Sequence, residues 1–293
     1  MAFGPHLLLA VLEGLVSSAV LALTALGLSL VFGVMRIVNI AHGELFMLGA
    51  VLAWAIANAV GGPPALGFLA ALILAPLAVG AVALVAERLV LRRLGYEPQA
   101  TIVATIGLLY IIQQLALTFY GPDAHPVPPP FNVRIALPWF GYSGYKLAVI
   151  AASALILIAT WLLLTRTKIG LLMRATQYDR ETAQAFAIPV DRVYAGTFAL
   201  GAMLAAVAAV LIVPISQAHY LMGQDPLLLS FVVVIIGGLG SLRGTVVAAL
   251  LIGLSDGIVS MFFSPTLAKI IATLIVAMVL VFRPQGLFGT VAR

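Results

Sequence analysis

Residues 71–86 read ALILAPLAVGAVALVA, without a single charged, amide or hydroxyl side chain. A strand of a membrane β-barrel alternates lipid-facing apolar residues with polar residues facing the lumen, and this run leaves no polar face for a lumen. It is read instead as a helix. The composition around it agrees: 63% of the 293 residues are hydrophobic and 9% are charged, against roughly 25% charged in a soluble domain. Such a chain belongs in a lipid bilayer.

A helix rises about 1.5 Å per residue, so about 20 apolar residues cross a hydrocarbon core of about 30 Å. Charge-free runs of that order extend over Gly14 to Met35, Leu45 to Ala86, Gln99 to Pro122, Leu147 to Thr165 and Val193 to Gln224. The second is too long for one crossing and is divided by Gly61, Gly62, Pro63 and Pro64, residues that break helices and make turns. Loops 87–98 and 166–192 carry eight Lys or Arg, whereas the Pro-rich loop 121–146 carries two. The positive-inside rule puts the first two loops, and a C-terminus with Arg283 and Arg293, in the cytoplasm. The expected fold is therefore an all-α polytopic membrane protein, a single transmembrane domain over 1–293, with about eight to nine transmembrane helices. With nine, the N-terminus lies outside. Leu45 to Val60 is short, and Pro226 to Leu242 runs into glycines that favour a broken or re-entrant segment. The opening residues MAFGPH hold no Lys or Arg, so the first span is expected to stay as an anchor rather than be cleaved. Cysteine is absent, which excludes disulfides and thiolate metal sites. The basic residues form no continuous stripe with aromatics, so no nucleic-acid partner is expected.

Two short patterns interrupt the apolar background. MRIVNIAHGEL (35–45) gathers Arg36, Asn39, His42 and Glu44 between two apolar runs. These side chains are either solvated in a cytoplasmic turn or line the mouth of a translocation path. His42 and Glu44 do not fit the HExxH pattern, and no second ligand set accompanies them. IIGGLGSLRG (235–244) holds Gly237, Gly238, Gly240 and Ser241. Glycines permit close helix packing, while the added serine and arginine suit a gate or polar lining. No Gly-Lys-Ser or Gly-Lys-Thr occurs, so any ATP is bound by another subunit. Asp256 and Lys269 read as residues near the outer interface, the lysine snorkelling. Gly201, Ala205 and Ala209 repeat at the spacing of small residues in a helix contact.

The longest polar stretch between spans is RTKIGLLMRATQYDRETAQAFAIPVDR (166–192). Ala183, Phe186, Ala187 and Val190 fall at i, i+3, i+4 and i+7, one narrow apolar stripe of a helix about a dozen residues long. Asp179 is expected to cap its start, Glu181 to sit in the first turn, and Pro189 to end it. Such a helix either lies on the bilayer surface or fills a groove on a cytosolic partner.

Four stretches carry a family resemblance: GLSLVFGVMRIVNIAHGELFMLGA (27–50), DRETAQAFAIPVDRVYAGTFALGAMLA (179–205), IGGLGSLRGTVVAALLIGL (236–254) and FRPQGLFG (282–289). In this order they closely resemble permease subunits of high-affinity branched-chain amino acid ABC importers of the LivH type. The resemblance implies a bacterial or archaeal cytoplasmic-membrane protein that translocates leucine, isoleucine and valine and is not itself an enzyme. It binds no cofactor; ATP and Mg belong to two cytosolic ATPase subunits. A second, LivM-like permease and an extracytoplasmic amino-acid-binding protein complete the assembly. It also implies that Asp179, Arg180, Glu181, Thr182, Ala183, Phe186, Ala187 and Pro189 form the ATPase-coupling segment. Ala187 stands where the family motif usually has Gly. Asn39, His42, Glu44, Gly237, Gly238, Gly240 and Ser241 are the candidates for the translocation path. Urea and short-chain amide permeases share these motifs, and an ion-coupled secondary transporter or channel using Arg36, Glu44 and Asp256 is the alternative of another class.

Overall fold

The computed structural model describes residues 3–283 and 285–288, and these are overwhelmingly helical. The elements are α1 (Phe3–Met35), α2 (His42–Val60), α3 (Pro64–Ala86), α4 (Pro98–Tyr120), α5 (Gly144–Arg166), α6 (Lys168–Tyr178), α7 (Arg180–Ala185), α8 (Val190–Ser216), α9 (Gln224–Gly237), α10 (Leu242–Phe262) and α11 (Pro265–Phe282). A π-helical turn, Glu87–Leu91, extends α3. A small hairpin of β1 (Arg134–Ala136) and β2 (Gly141–Ser143) lies in the loop before α5. Among the described residues seven helices are long and apolar enough to cross a membrane, with α9 and the first part of α11 as shorter apolar helices. The protein is an all-α polytopic membrane protein.

Local chemistry sets the helix ends where the sequence placed them. Gly61 and Gly62 take φ of 61° and 73°, and Pro64 opens α3 at its first position, where a missing N–H costs nothing. Glu97 caps α4, its carboxylate accepting from Gln99 N at 3.2 Å and Ala100 N at 2.6 Å.

Two pairs of glycines organise the packing. α1 crosses α8 where a Cβ on Gly201 would lie 2.7 Å from the carbonyl oxygen of Gly27, and a Cβ on Gly27 would overlap Gly201 in turn. α2 and α9 meet in the same reciprocal way at Gly43 and Gly223. After α1 the chain doubles back as irregular backbone over 36–41, and α2 starts beside Thr24, whose carbonyl oxygen is 2.9 Å from His42 Nε2. That is about 16 Å up α1 from Met35 at 1.5 Å per residue. After α8 the chain doubles back over 217–223, and Gly223, the N-cap of α9, lies against Gly43. Packing repeats the relation: α1 lies along α10 and α8 along α3, while α2 rests on α3 and α9 on α10. The chain is thus two oppositely directed halves of like architecture, α1–α4 and α8–α11, joined through α5–α7.

One expectation is corrected here. The glycines of 235–244 do not break a membrane helix at depth; they form a tight turn between α9 and α10, with Gly238 at φ 98° and Gly240 at φ 78°. A Cβ on Gly240 would lie 2.9 Å from Gly33 Cα, close to the end of α1. The irregular backbone is in 36–41 and 217–223 instead, and each segment is partly buried in protein: Ile37 and Asn39 are each 1% exposed and Ala218 0%, while Leu221 is 38% exposed. Such backbone is tolerated in a membrane where other parts of the protein cover it or where it lines a water-filled cavity. The turn at 238–241, Arg36, the π turn and α7 gather at one end of the bundle, called here the basic end. Leu287 N and Phe288 N bond to Ile236 O and Gly237 O at 2.7 and 3.2 Å, so the described tail returns to this end too. Arg293 and two residues of the 282–289 motif, Pro284 and Gly289, lie outside the described residues.

Gly43→Val forces a branched side chain into Gly223 and Leu227 Cβ and is expected to destabilise the bundle by about 1–3 kcal/mol or more, the range of overpacking. Gly107→Val, where a Cβ meets nothing within 4 Å, is the matched control. Thermal unfolding of the detergent-purified protein checks the pair: a clear drop for Gly43→Val and little change for Gly107→Val.

Candidate functional site

The segment 166–192 is two helices rather than one. α6 occupies Lys168–Tyr178, capped by Thr167, whose hydroxyl accepts from Gly170 N at 3.2 Å. Asp179 then caps α7 as its residue type foretold, with Oδ1 accepting from Glu181 N at 2.9 Å and Thr182 N at 3.2 Å, and Oδ2 accepting from the Thr182 hydroxyl at 2.5 Å. The Thr182 hydrogen bonds hold the Asp179 carboxyl below its usual range. A carboxyl lowered by folding contributes stability above its ordinary pKa and loses it as pH falls through the lowered value, so this cap stands at neutral pH.

The dozen-residue helix and its stripe are corrected. α7 has six residues and stops because Ala187 takes φ 58°. Ile188 N bonds to Ala183 O at 3.1 Å and Ala187 N to Gln184 O at 2.9 Å, the paired closure of a Schellman motif. Ala183 and Val190 are buried while Phe186 is 78% exposed, so the four residues of the stripe do not share one face. Pro189 stands at the N-cap of α8 and begins the next helix. Arg180, Glu181, Thr182, Phe186, Ala187 and Pro189 are all exposed at the basic end.

α7 is seated on the bundle through Arg180. Its guanidinium lies 5.9 Å from the Tyr96 ring centre and 5.6 Å from that of Tyr194, over two rings that meet edge-on at 4.7 Å. Tyr96 donates a 2.5 Å hydrogen bond to Glu87 Oε1. Burial, together with that carboxylate, pushes the Tyr96 phenol well above its usual range, so it remains a donor. Glu87 is 0% exposed and sits in the π turn, an irregularity frequent at functional sites. Arg92, just after that turn, pairs with Asp191 in the first turn of α8 at 2.7 Å. Tyr96, Tyr194, Glu87 and Arg92 carried no sequence pattern that pointed to α7.

The path candidates fall into two separate groups. Asn39, His42 and Glu44 are 1%, 0% and 1% exposed, at the joint between α1 and α2. A solvated turn does not fit that burial. Asn39 Oδ1, His42 Nδ1 and Glu44 Oε2 have no hydrogen-bond partner in the chain. Gly237, Gly238, Gly240 and Ser241 are at the basic end, where Ser241 caps α10 by accepting from Gly244 N at 3.2 Å. Thr24 and Gly33 mark the two levels along α1, about 14 Å apart at 1.5 Å per residue. A third polar feature went unread in the sequence. Lys269 does not snorkel alone; it pairs with Asp225, in the first turn of α9, at 2.7 Å. Asp225 also borders a cavity of about 280 Å³ at the α8–α9 joint.

Long apolar helices, a helix start buried at half depth, and a short helix exposed at one end define a polytopic membrane protein. The model of the branched-chain amino acid transport system permease component matches residues 10–282. The chain belongs to that family. It is 25% identical to the high-affinity branched-chain amino acid transport permease BraD of Pseudomonas aeruginosa over 97% of this chain and 96% of that protein. It is 26% identical to LivH of Escherichia coli over 94% of each, and 25% identical to a probable LivH of Methanocaldococcus jannaschii over 95% of this chain and 92% of that one. The same fold is found in the solved structure of PsaBC from Streptococcus pneumoniae in complex with Fab, with a TM-score of 0.53, 11% identity, and 94% and 92% of the two chains covered.

An L-residue in the left-handed region costs about 1–2 kcal/mol, part of which glycine returns as chain entropy. Ala187→Gly is therefore expected to tighten the end of α7 by up to about 1 kcal/mol. Hydrogen exchange checks it: the Ile188 amide should exchange several-fold more slowly in Ala187→Gly, with amides of α2 unchanged.

Proposed function

We propose that this chain is the membrane-spanning, non-catalytic subunit of an ATP-driven importer that carries leucine, isoleucine and valine inward. The observation that carries the reading is α7, an exposed, capped helix at the basic end of a chain in the branched-chain permease family. The basic end is then cytoplasmic, as the excess of Lys and Arg in its loops suggests, and the described tail lies on that side. Two cytosolic ATPase subunits bind ATP and Mg, a second permease of the LivM type completes the path, and an extracytoplasmic binding protein delivers the amino acid.

In this reading α7 seats in a groove of one ATPase subunit. Phe186, with 78% of its surface exposed, is the aromatic anchor, the residue type that dominates such contacts. Glu181 and Thr182 lie on the same protruding turn. When ATP draws the ATPase subunits together, α7 moves with one of them. Arg180 passes that displacement to Tyr96 and Tyr194, and so to the π turn after α3 and the start of α8. α4 follows directly after Tyr96, and its mostly exposed surface leaves it freer to tilt than the buried α1 and α8. Asn39, His42 and Glu44, at the hinge where α1 becomes α2, have unsatisfied atoms that a second arrangement of the same helices would pair. Gly237, Gly238, Gly240 and Ser241 form the turn that abuts the inner end of α1. That contact suits a gate at the cytoplasmic mouth.

The test is ATP-dependent uptake of labelled leucine into vesicles holding all subunits. Phe186→Ala is expected to weaken copurification of the ATPase subunit by about tenfold, the effect of losing a contact of about 1.4 kcal/mol. Glu181→Lys should abolish uptake; uptake at the unaltered rate would remove the coupling role of α7. Competition by unlabelled isoleucine and valine but not by urea or short amides separates this substrate class from its neighbours. Uptake by the chain alone under an ion gradient, with no ATPase present, would instead establish a secondary transporter.

A further inference from the structure

The joint between α8 and α9 combines an apolar cavity with a charged pair, and no role described above uses either. The cavity, about 280 Å³, is walled by Val20 of α1, Phe46 of α2, Ile212 of α8 and Met222 of the joint, with Asp225 and His219 at its polar side. Asp225 is bonded at 2.7 Å to Lys269 of α11, and the two side chains are 65% and 46% exposed. Asp225 stands twelve residues before Gly237, hence about 18 Å along α9 from the turn at the basic end. That depth is inside a hydrocarbon core of about 30 Å.

Two exposed opposite charges at this depth are costly against lipid, and intramembrane ion pairs of this kind characteristically face a water-filled path or a partner. They are held by elements from different parts of the chain, α9 and α11, beside the irregular segment 217–223. Exposure also makes the pair exchangeable. A zwitterion offers an ammonium to the carboxylate and a carboxylate to the ammonium, replacing one ion pair by two without changing net charge. The adjacent cavity offers the other half of the recognition, aliphatic and aromatic walls of a volume that suits a short branched side chain. A urea or a small amide has no group for those walls and no charge for the pair.

We propose that Asp225 and Lys269 form a transit site for the amino-acid zwitterion, Asp225 receiving the α-ammonium and Lys269 the α-carboxylate, while the side chain enters the cavity between Val20, Phe46 and Ile212. This rests on the importer reading above and adds to it the position and polarity of a substrate stop within the permease. The site lies between the buried hinge at His42 and the outer end of α8, so it is met after release from the binding protein and before the glycine turn. Ser216, also on the cavity wall, donates to Ile212 O at 3.2 Å and is not needed for the charges.

The absence of cysteine makes the test direct. Leu221, on the cavity wall and 38% exposed, is replaced by Cys in the assembled importer, and maleimide labelling of this subunit is followed on a gel. Leucine is expected to slow labelling at least threefold, and leucinamide, which lacks the carboxylate, to protect more weakly. Asp225→Asn and Lys269→Gln should each remove most of the protection by leucine and lower leucine imported per ATP hydrolysed by at least tenfold, with the ATPase subunits still copurifying as the check on folding. The double exchange Asp225→Lys with Lys269→Asp should recover part of the coupling. Full protection and coupling in both single variants would overturn the site while leaving the importer reading intact. An unaltered assembly that fails to import leucine at all would overturn that reading and this site with it.

Discussion

Backbone meets backbone at Gly27–Gly201 and at Gly43–Gly223, and the arrangement of the other helices depends on these two contacts. In lipid there is no hydrophobic force drawing one apolar helix to another, because the acyl chains are as apolar as leucine. Association then depends on close van der Waals approach, which a missing Cβ on both partners allows. Each pair is reciprocal, with each glycine's Cβ position occupied by the other's main chain. The first pair crosses the two longest helices, α1 and α8. The second brings the starts of α2 and α9 together inside the bundle, and α3 and α10 close over the result.

Starting two helices at half depth leaves 36–41 and 217–223 without regular hydrogen bonding in a medium that offers no water. The protein covers most of 36–41 and part of 217–223, and the contacts that do so are polar. His42 reaches Thr24 O, Ile40 N is met by Thr105 Oγ1 at 3.3 Å, and His125 exchanges two backbone hydrogen bonds with Ala218, at 2.8 and 2.9 Å. A transporter needs segments that are ordered but not locked. Helix ends inside the bundle, flanked by irregular chain, supply such segments while the long helices remain rigid.

The basic end solves a different problem, the fastening of a six-residue helix too short to be stable by itself. Asp179 begins it, Ala187 ends it, and Arg180 over Tyr96 and Tyr194 ties it to the bundle. Cation–π contacts of this type are each worth roughly 0.5–1 kcal/mol at exposed sites, so the fastening is shared. The Tyr96–Glu87 hydrogen bond and the Arg92–Asp191 pair extend it to α3 and α8. α7 is thereby joined to two helices, α3 and α8, that pack along each other.

The sequence by itself determined the membrane environment, the helical class, the approximate number of spans and the position of the polar segment 166–192. These depend on local quantities: charge-free length, Gly and Pro at turns, cation counts per loop, and an aspartate at a cap. The family was legible as well, in four motifs that follow one another along the chain. The split of 166–192 into α6 and α7 was not, because one residue in a left-handed conformation ended the apparent stripe, and Ala187 shows its strain only once its backbone is seen. The two halves were hidden by unequal spacing: the crossing glycines are 16 residues apart in one half, 27 to 43, and 22 in the other, 201 to 223. Only the tertiary structure decided that Asn39, His42 and Glu44 are buried rather than solvated, that the glycines of 235–244 make a turn, and that Asp225 meets Lys269. Each of those depends on which distant helix lies alongside, and in a membrane that choice is made by backbone proximity rather than by the pattern of any one segment.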